Sequence, residues 1–355
     1  MKRVLIITYY WPPCGGAGVQ RWLKFVKYLR EFGWEPVVYT PLNAEYPVID
    51  NTLKKDIPEN VIVLQNAITE PYKFYKNFTG KKSEEKINRD IVGAIKKNGL
   101  KERIALWFRA NIFIPDARMW WIKPSVKFLQ SYLKKNNIDA IVTTGPPHSL
   151  HLIGLKLKQE CHLPWVADFR DPWTTMDYFD DLPLTSFARK RHHRLERKVL
   201  DSSDHVLCVG ELMKLEFNSK TQTPVTVITN GFDAEDIPTY GAKTETSDFI
   251  LLHAGSFLQR RNPEILWKAL HELISENKEL RSKLKIKLIG RVEQTVVDSL
   301  ARYNLSEYVD AVKYIPHDKV VEQLINATIL LLPIDNFKGS KWVLTGKIFE
   351  YIMVH

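Results

Sequence analysis

The chain has little cysteine: Cys14, Cys161 and Cys208 are the only three in 355 residues. They are too few and too scattered for a disulfide framework or a zinc site, which points to a reducing compartment. There is no run of 18 apolar residues, so no segment reads as a bilayer span. The opening MKRVLIITYY has an apolar stretch too short for a signal peptide, and the Pro-Pro-Cys-Gly-Gly that follows is no cleavage site; it reads as a first strand. No Gly-Lys-Ser/Thr follows any glycine loop, which excludes a P-loop. No Asp-any-Asp triplet occurs, so that paired-acid arrangement for a divalent cation is unsupported. What is present is ordinary globular usage, 45% apolar and 26% charged, excluding a disordered tail, a collagen-like fibre or a coiled coil.

At roughly 150 residues per domain the length suggests two domains. The net charge is +10. Residues 1–242 hold 35 Lys and Arg against 27 Asp and Glu, an excess of 8, and residues 243–355 hold 16 against 14, an excess of 2. A basic surface attracts nucleic acid, anionic lipid or phosphorylated substrate, and charge alone does not choose among them.

Apolar strand-like runs lie at 3–8, 36–40, 60–65, 138–144, 164–169, 205–209 and 226–229, with helical patterns at 19–32, 124–136, 148–160 and 185–200. Such alternation predicts parallel strands joined by βαβ crossovers. The polar stretch 230–247 reads as a linker. The pattern then restarts with strands at 248–255, 285–290 and 328–334 and helices at 263–276, 294–302 and 318–327. The expectation is an α/β protein of two tandem Rossmann-like domains. The first spans 1–235; the second spans 236–355 and is read as truncated at the C-terminus, because few strands remain for a doubly wound sheet. Residues 70–123 break the alternation with an insertion rich in bases and aromatics: Tyr72, Lys73, Phe74, Tyr75, Lys76, Phe78, Lys81 and Lys82, then Trp107, Phe108, Arg109, Phe113, Arg118, Trp120, Trp121 and Lys123. Rings beside cations suit a lipid interface, so this insertion is expected to meet an anionic membrane surface; the alternative is core aromatics and solvated bases.

Glycine loops open both domains. Gly15 and Gly16 follow the first strand, where backbone N–H groups and a helix N-terminus would meet a phosphate. The dinucleotide version is disfavoured, since Arg21 stands at the third glycine and Thr40 ends the second strand. In the second loop, Gly255 is followed by Arg260 and Arg261 just before a helix, which suits a diphosphate clamp. Lys347 and Glu350 lie in the first turn of a further helix, the carboxylate placed to accept ribose hydroxyls. His148 and His151 follow one strand, and Asp168 and Asp171 follow the next. Carboxyl ends of parallel strands are where ligands bind in such sheets, so these four form the candidate catalytic group. His192 and His193 read as part of a solvated basic helix.

Six segments in order, YYWPPCGGAGVQR (9–21), WVADFRDPW (165–173), VITNGFD (227–233), LLHAGSFLQRRNPE (251–264), YIPHDKVVEQLINATILLLP (314–333) and GKIFEY (346–351), resemble the "glycosyl transferase group 1" family of retaining GT-B glycosyltransferases, of the bacterial polysaccharide-cluster type. The resemblance implies an N-terminal acceptor domain and a C-terminal nucleotide-sugar domain. It implies transfer of a sugar, without metal or other cofactor, to a lipid-linked or saccharide acceptor in cell-surface polysaccharide synthesis. The expected location is cytoplasmic, peripheral on the inner face of the cell membrane; no nucleic-acid partner is expected. By position, Gly15 and Gly16 approach the donor diphosphate, Arg261 takes the place of the family's phosphate-binding Lys, and Glu350 holds the ribose. Two departures stand out: Trp342 replaces the first acid of the family's Glu-seven residues-Glu motif, and Ser256 replaces its phosphate Arg, for which Arg260 substitutes. A catalytically inactive glycan- or membrane-binding module of this fold is the alternative, and a nucleotide-sugar epimerase of the same fold a weaker one.

Overall fold

The computed structural model describes residues 1–46, 48–70, 100–176, 179–237, 246–334 and 344–354. The aromatic and basic residues 72–82 of the expected insertion, and Trp342, lie outside the described residues. The chain forms two units, Met1–Thr229 and Asn230–His355, divided at the head of the polar stretch read as a linker.

The first unit is built on seven strands: β1 Lys2–Ile7, β2 Trp34–Pro41, β3 Ile62–Asn66, β4 Ala140–Gly145, β5 Trp165–Phe169, β6 His205–Cys208 and β7 Val225–Val227. All pair in parallel, in the order β3-β2-β1-β4-β5-β6-β7. Parallel sheets are covered on both faces, which is why the central strands read as unbroken apolar runs. Leu5, Ile6 and Ile7 of β1 are fully buried. The order reverses between β1 and β4, and in open α/β sheets the ligand crevice forms at such a reversal, beyond the carboxyl ends of the strands. Register sets those ends level, with Ile7 opposite Thr143 and Gly145 opposite Phe169.

Helices cover the sheet with apolar stripes. In helix Ala17–Tyr28 the buried Val19, Trp22, Leu23 and Val26 recur at helical spacing, and the chain leaves the following 3₁₀ turn through Gly33 in the left-handed region (φ 77°). Helix Ser149–Cys161 sits close on the sheet because residue 154 has no side chain. A Cβ at Gly154 would lie 2.5 Å from Trp165 Nε1 and 2.6 Å from Thr143 Cγ2.

The aromatics of 100–123 divide between core and surface. Trp121 is buried and stacks on Tyr39, with ring centroids 5.1 Å apart and planes 10° apart, which corrects its expected place at a lipid interface. Arg118 is likewise turned inward, paired with Glu70 at 3.0 Å and lying over the Tyr9 ring. Trp107, Phe108 and Trp120 are exposed.

The second unit repeats the plan with β8 Phe249–Ala254, β9 Leu284–Ile289, β10 Val309–Val312 and β11 Ile329–Leu330, all parallel, in the order β10-β9-β8-β11. Its reversal lies between β8 and β11. The apolar run 328–334 contributes only two paired residues, and β10 was not expected. Residues 310–312 of this edge strand are exposed, so its sequence carries no buried apolar period to reveal it.

Filling the gap at Gly154 tests this packing. Gly154→Ala should destabilise the first unit by about 2 kcal/mol, the cost of an overpacked methyl. For a domain of this size that is roughly a 4–8 °C fall in Tm, measured by thermal melting. An unchanged Tm would show that the helix rides higher on the sheet.

Candidate functional site

At the reversal of the first sheet, Asp168 at the end of β5 is fully buried and fully engaged. Its carboxylate accepts from Arg21 Nη2 at 3.0 Å, Arg21 Nε at 3.3 Å, Trp22 Nε1 at 2.7 Å and Thr144 Oγ1 at 2.8 Å. Three of these donors fall on Oδ2 and one on Oδ1, so most of its acceptor capacity is spent inside the protein. Asp168, expected in the catalytic group, holds Arg21, Trp22 and Thr144 together at the strand end. The residue that displaced the third glycine of a dinucleotide loop, Arg21, is its buried counter-ion, and it also donates to the Thr229 carbonyl at 2.9 Å.

The loop after β4 brings the two histidines together. His151 is fully buried, its Nδ1 2.9 Å from Thr143 Oγ1 and its ring stacked on Phe169 with centroids 4.3 Å apart. His148 lies flat on Trp173, with centroids 4.8 Å apart and planes 2° apart. Both rings turn a nitrogen without a hydrogen-bond partner toward Gly145. A Cβ there would lie 2.5 Å from His151 Nε2 and 3.1 Å from His148 Nδ1. Only glycine at 145 lets both imidazoles close on the strand end.

Burial pushes the His148 pKa well below its ordinary value and that of His151 down to about 3. Both rings are therefore neutral at physiological pH. They can exchange hydrogen bonds with hydroxyls but carry no charge. Behind them, Trp173 Nε1 donates to His192 Nδ1 at 3.0 Å. His192 is buried, and burial lowers its pKa to about 4. It belongs to the support of this site and not to the solvated face expected for it.

Two further residues of this region, Arg170 and Asp116, escaped sequence reasoning. Arg170 donates to the Gly18 carbonyl at 2.6 Å and to the Pro146 carbonyl, while its amide donates to the Gly145 carbonyl at 3.0 Å. It thus joins the loops that follow β1 and β4. The neighbouring Asp171 is half-buried. Asp116 accepts from Ser149 N at 2.8 Å and Ser149 Oγ at 2.9 Å, so an internal carboxylate already occupies the N-terminus of helix Ser149–Cys161. In the glycine loop, the Gly15 amide donates to the Val48 carbonyl at 3.0 Å and is not available to a phosphate. Gly16 stands at the head of helix Ala17–Tyr28 with φ 87° and open space where a side chain would project.

The second unit holds a different chemistry at the carboxyl end of β8. Gly255 and Gly290 both have positive φ, 116° and 114°, and pack so closely that a Cβ at Gly290 would lie 2.7 Å from the Gly255 carbonyl oxygen. Lys347 lies over Gly255, its Cε and Nζ each 2.5 Å from where a Cβ would stand. Burial first, then the neighbouring Arg261, lower the Lys347 pKa to about 8, with Glu350 opposing them. Glu350 Oε1 is 3.2 Å from His317 Nε2, a partner that the motif around His317 did not reveal. Gly255, Arg261, Lys347 and Glu350 are thus brought together. Arg260, in the same short turn, is exposed. Lys347 held against glycine backbone, with Arg261 and one carboxylate nearby, favours an anion carrying hydroxyls.

Residues 90–236 match the family model described as Glycosyltransferase Family 4. No curated protein shows significant sequence similarity to the chain. Among solved structures, the chain is similar to sucrose-phosphate synthase from Thermosynechococcus elongatus (TM-score 0.57, 14% identity, 93% of this chain and 75% of that one). It is similar to WaaG, a glycosyltransferase involved in lipopolysaccharide biosynthesis (0.53, 14%, 99% and 79%). It is also similar to the trehalose-6-phosphate synthase OtsA (0.60, 10%, 99% and 82%). The fold is GT-B, two Rossmann-like domains in tandem. The family match supports a glycosyltransferase enzyme.

Two outcomes follow from the buried groups of the first unit. Asp168→Ala strands the Arg21 guanidinium and should cost about 3–5 kcal/mol in chemical denaturation, the penalty of breaking a buried pair. A cost below about 1 kcal/mol would show the pair to be hydrated. The histidines predict acid lability. Their folded pKa values lie below the unfolded 6.5, so their contribution is complete above that pH and is lost as pH falls from 6.5 toward 4. Each contributes a slope of about 1.4 kcal/mol per pH unit across that window. His192→Gln keeps an acceptor for Trp173 and should reduce the slope by about a third. An unchanged slope would place His192 in contact with solvent.

Proposed function

We propose that the chain transfers a glycosyl group from a nucleotide-diphosphate sugar to a lipid-linked or saccharide acceptor in cell-surface polysaccharide synthesis. The donor diphosphate binds the second unit, and the acceptor binds the first. The observation that carries this reading is Lys347 laid over Gly255 with Arg261 beside it. Lys347, its pKa lowered by burial and by the neighbouring Arg261, lies over the space that a side chain at 255 would take, and a diphosphate would bring negative charge to both cations. Glu350, held from one side by His317, keeps acceptor capacity for ribose hydroxyls.

The chemistry is electrostatic. As the glycosidic bond to the diphosphate breaks, negative charge grows on the departing oxygen and positive charge on the sugar. Arg261 and Lys347 stabilise the first. His148 and His151, neutral and closed against Gly145, shape the strand end of the first unit and add no charge to it. The proposed course is retaining and independent of metal, with the leaving phosphate taking the acceptor proton on the face from which it departs. That course needs no protein nucleophile, and Asp168, beside His151, is held by Arg21 and Thr144. The proposed location is cytoplasmic, at the inner face of an anionic membrane. Among the described residues no helix is long and apolar enough to cross a membrane.

Titration calorimetry with UDP, GDP and their sugars tests the donor half. Arg261→Ala should weaken binding about tenfold or more, the worth of a charge-assisted contact of about 1.5–3 kcal/mol. Affinity should fall as pH rises through about 8, because Lys347 loses its proton there while the diphosphate keeps its charge. Lys347→Arg, which stays charged, should flatten that dependence. A well-folded chain that binds none of these nucleotides is a binding module and not a transferase.

A further inference from the structure

Two exposed helical faces of the first unit carry features that neither its core nor the histidine site uses. Helix Leu100–Ile112 buries Leu106 and Ala110 on one side, yet its opposite side carries large apolar residues among charged and polar ones. Ile104, Trp107, Phe108 and Ile112 recur at helical spacing and are each 39–48% exposed, and Trp120 just beyond is 42% exposed. Large apolar residues gathered on a solvent-facing side mark an interaction surface. Helix Ser186–Ser202 is the reverse. Ala188, His192, Glu196, Val199 and Leu200 face the core, and the outer stripe is Phe187, Lys190, Arg191, Arg194, Arg197 and Lys198.

Of these five cations only Arg197 has an acidic partner among the described residues, Asp201 at 3.4 Å on the same helix. A groove of about 520 Å³ runs along this stripe, lined by His193, Arg194, Arg197, Lys198, Asp201 and Ser202. The two helices are joined end to end. Asn111 accepts from the Thr185 amide at 2.7 Å and donates to the Pro183 carbonyl at 2.9 Å, which places Phe187, 71% exposed, at the junction.

We infer that these helices form one docking surface for an anionic lipid bilayer, the aromatic stripe entering the headgroup region and the basic stripe lying along it. Charge complementarity selects this occupant. A protein partner would need acids to match five cations in a row, whereas an anionic leaflet supplies negative charge in any register, and Trp and Phe beside Lys and Arg suit the boundary between water and acyl chains. The groove would admit single phosphate-bearing headgroups. This inference deepens the membrane location proposed above, and it moves the basic half of the surface from residues 70–123 to helix Ser186–Ser202.

The test is sedimentation of the full chain with vesicles of phosphatidylcholine alone or with 30% phosphatidylglycerol, alongside nucleotide titration of each variant. The expected result is binding to the anionic vesicles, release by about 1 M salt, where screening shortens to about 3 Å, and no binding to neutral vesicles. Arg191→Gln, Arg194→Gln and Lys198→Gln together should weaken partitioning about a hundredfold, near fivefold per charge. Trp107→Ser with Phe108→Ser should weaken it several-fold. Nucleotide affinity should be unchanged in both variants, so that loss of vesicle binding and failure of the donor site are read separately. Equal binding to both vesicle types, no binding to either, or full binding by the triple variant would each overturn the inference, the second leaving the face to a protein partner.

Discussion

The first unit is organised by a buried ion pair. Arg21 and Asp168 have side chains 3% and 0% exposed, so both have lost their hydration. A pair taken out of water is tolerable only where the remaining donors and acceptors are met. Here they are: Trp22 and Thr144 complete the carboxylate, and the Thr229 carbonyl takes another guanidinium N–H. The consequence is geometric. One pair fixes the helix after β1 against the ends of β4 and β5, the three elements from which the histidine site is assembled. The loops can then be irregular without being loose, because Arg170 ties them to each other by backbone carbonyls.

The second unit achieves its site by the opposite means. Lys347 is buried without full compensation, and its lowered pKa records that imbalance. A group in this state gains more from an incoming anion than a solvated lysine does, because the anion removes a repulsion as well as adding an attraction. The close packing of Gly255 on Gly290 creates the room. A side chain at 255 would meet Lys347, and one at 290 would meet the backbone of 255. The two units therefore divide the work by charge: neutral, fully buried imidazoles in one, a charged and undercompensated edge in the other.

Much of this was legible in the sequence because parallel α/β sheets write themselves as apolar runs separated by helical periods. The strands that carry sites were readable for that reason, and so were the glycine loops. What sequence could not give is which polar residue spends its hydrogen bonds on the protein itself. Asp168 and Asp171 look alike in ADFRDPW, yet only the fold shows four donors around the first. His192 sits in a run of bases, and its neighbours gave no sign that one turn of that helix faces Trp173. Trp120 and Trp121 are adjacent and identical in type, but one is exposed and the other stacks on Tyr39. Short edge strands such as β10 fail for a related reason: with three of four residues exposed there is no apolar period to detect.

The distribution of charge takes on meaning once the helices are placed. The excess of basic residues lies in the first two thirds of the sequence, but the candidate phosphate site lies in the last third, where the net charge is nearly balanced. The long-range field and the local chemistry are therefore separate devices. Arg261 and Lys347 act over a few ångströms in a poorly solvated site, where burial keeps their interaction with an anion strong. Helix Ser186–Ser202 acts in solvent, where each charge is worth little alone and a row of five matters only against an extended surface of opposite sign. Nothing in binding a single small donor calls for that row, and so its presence argues for a second, larger anionic partner on the first unit.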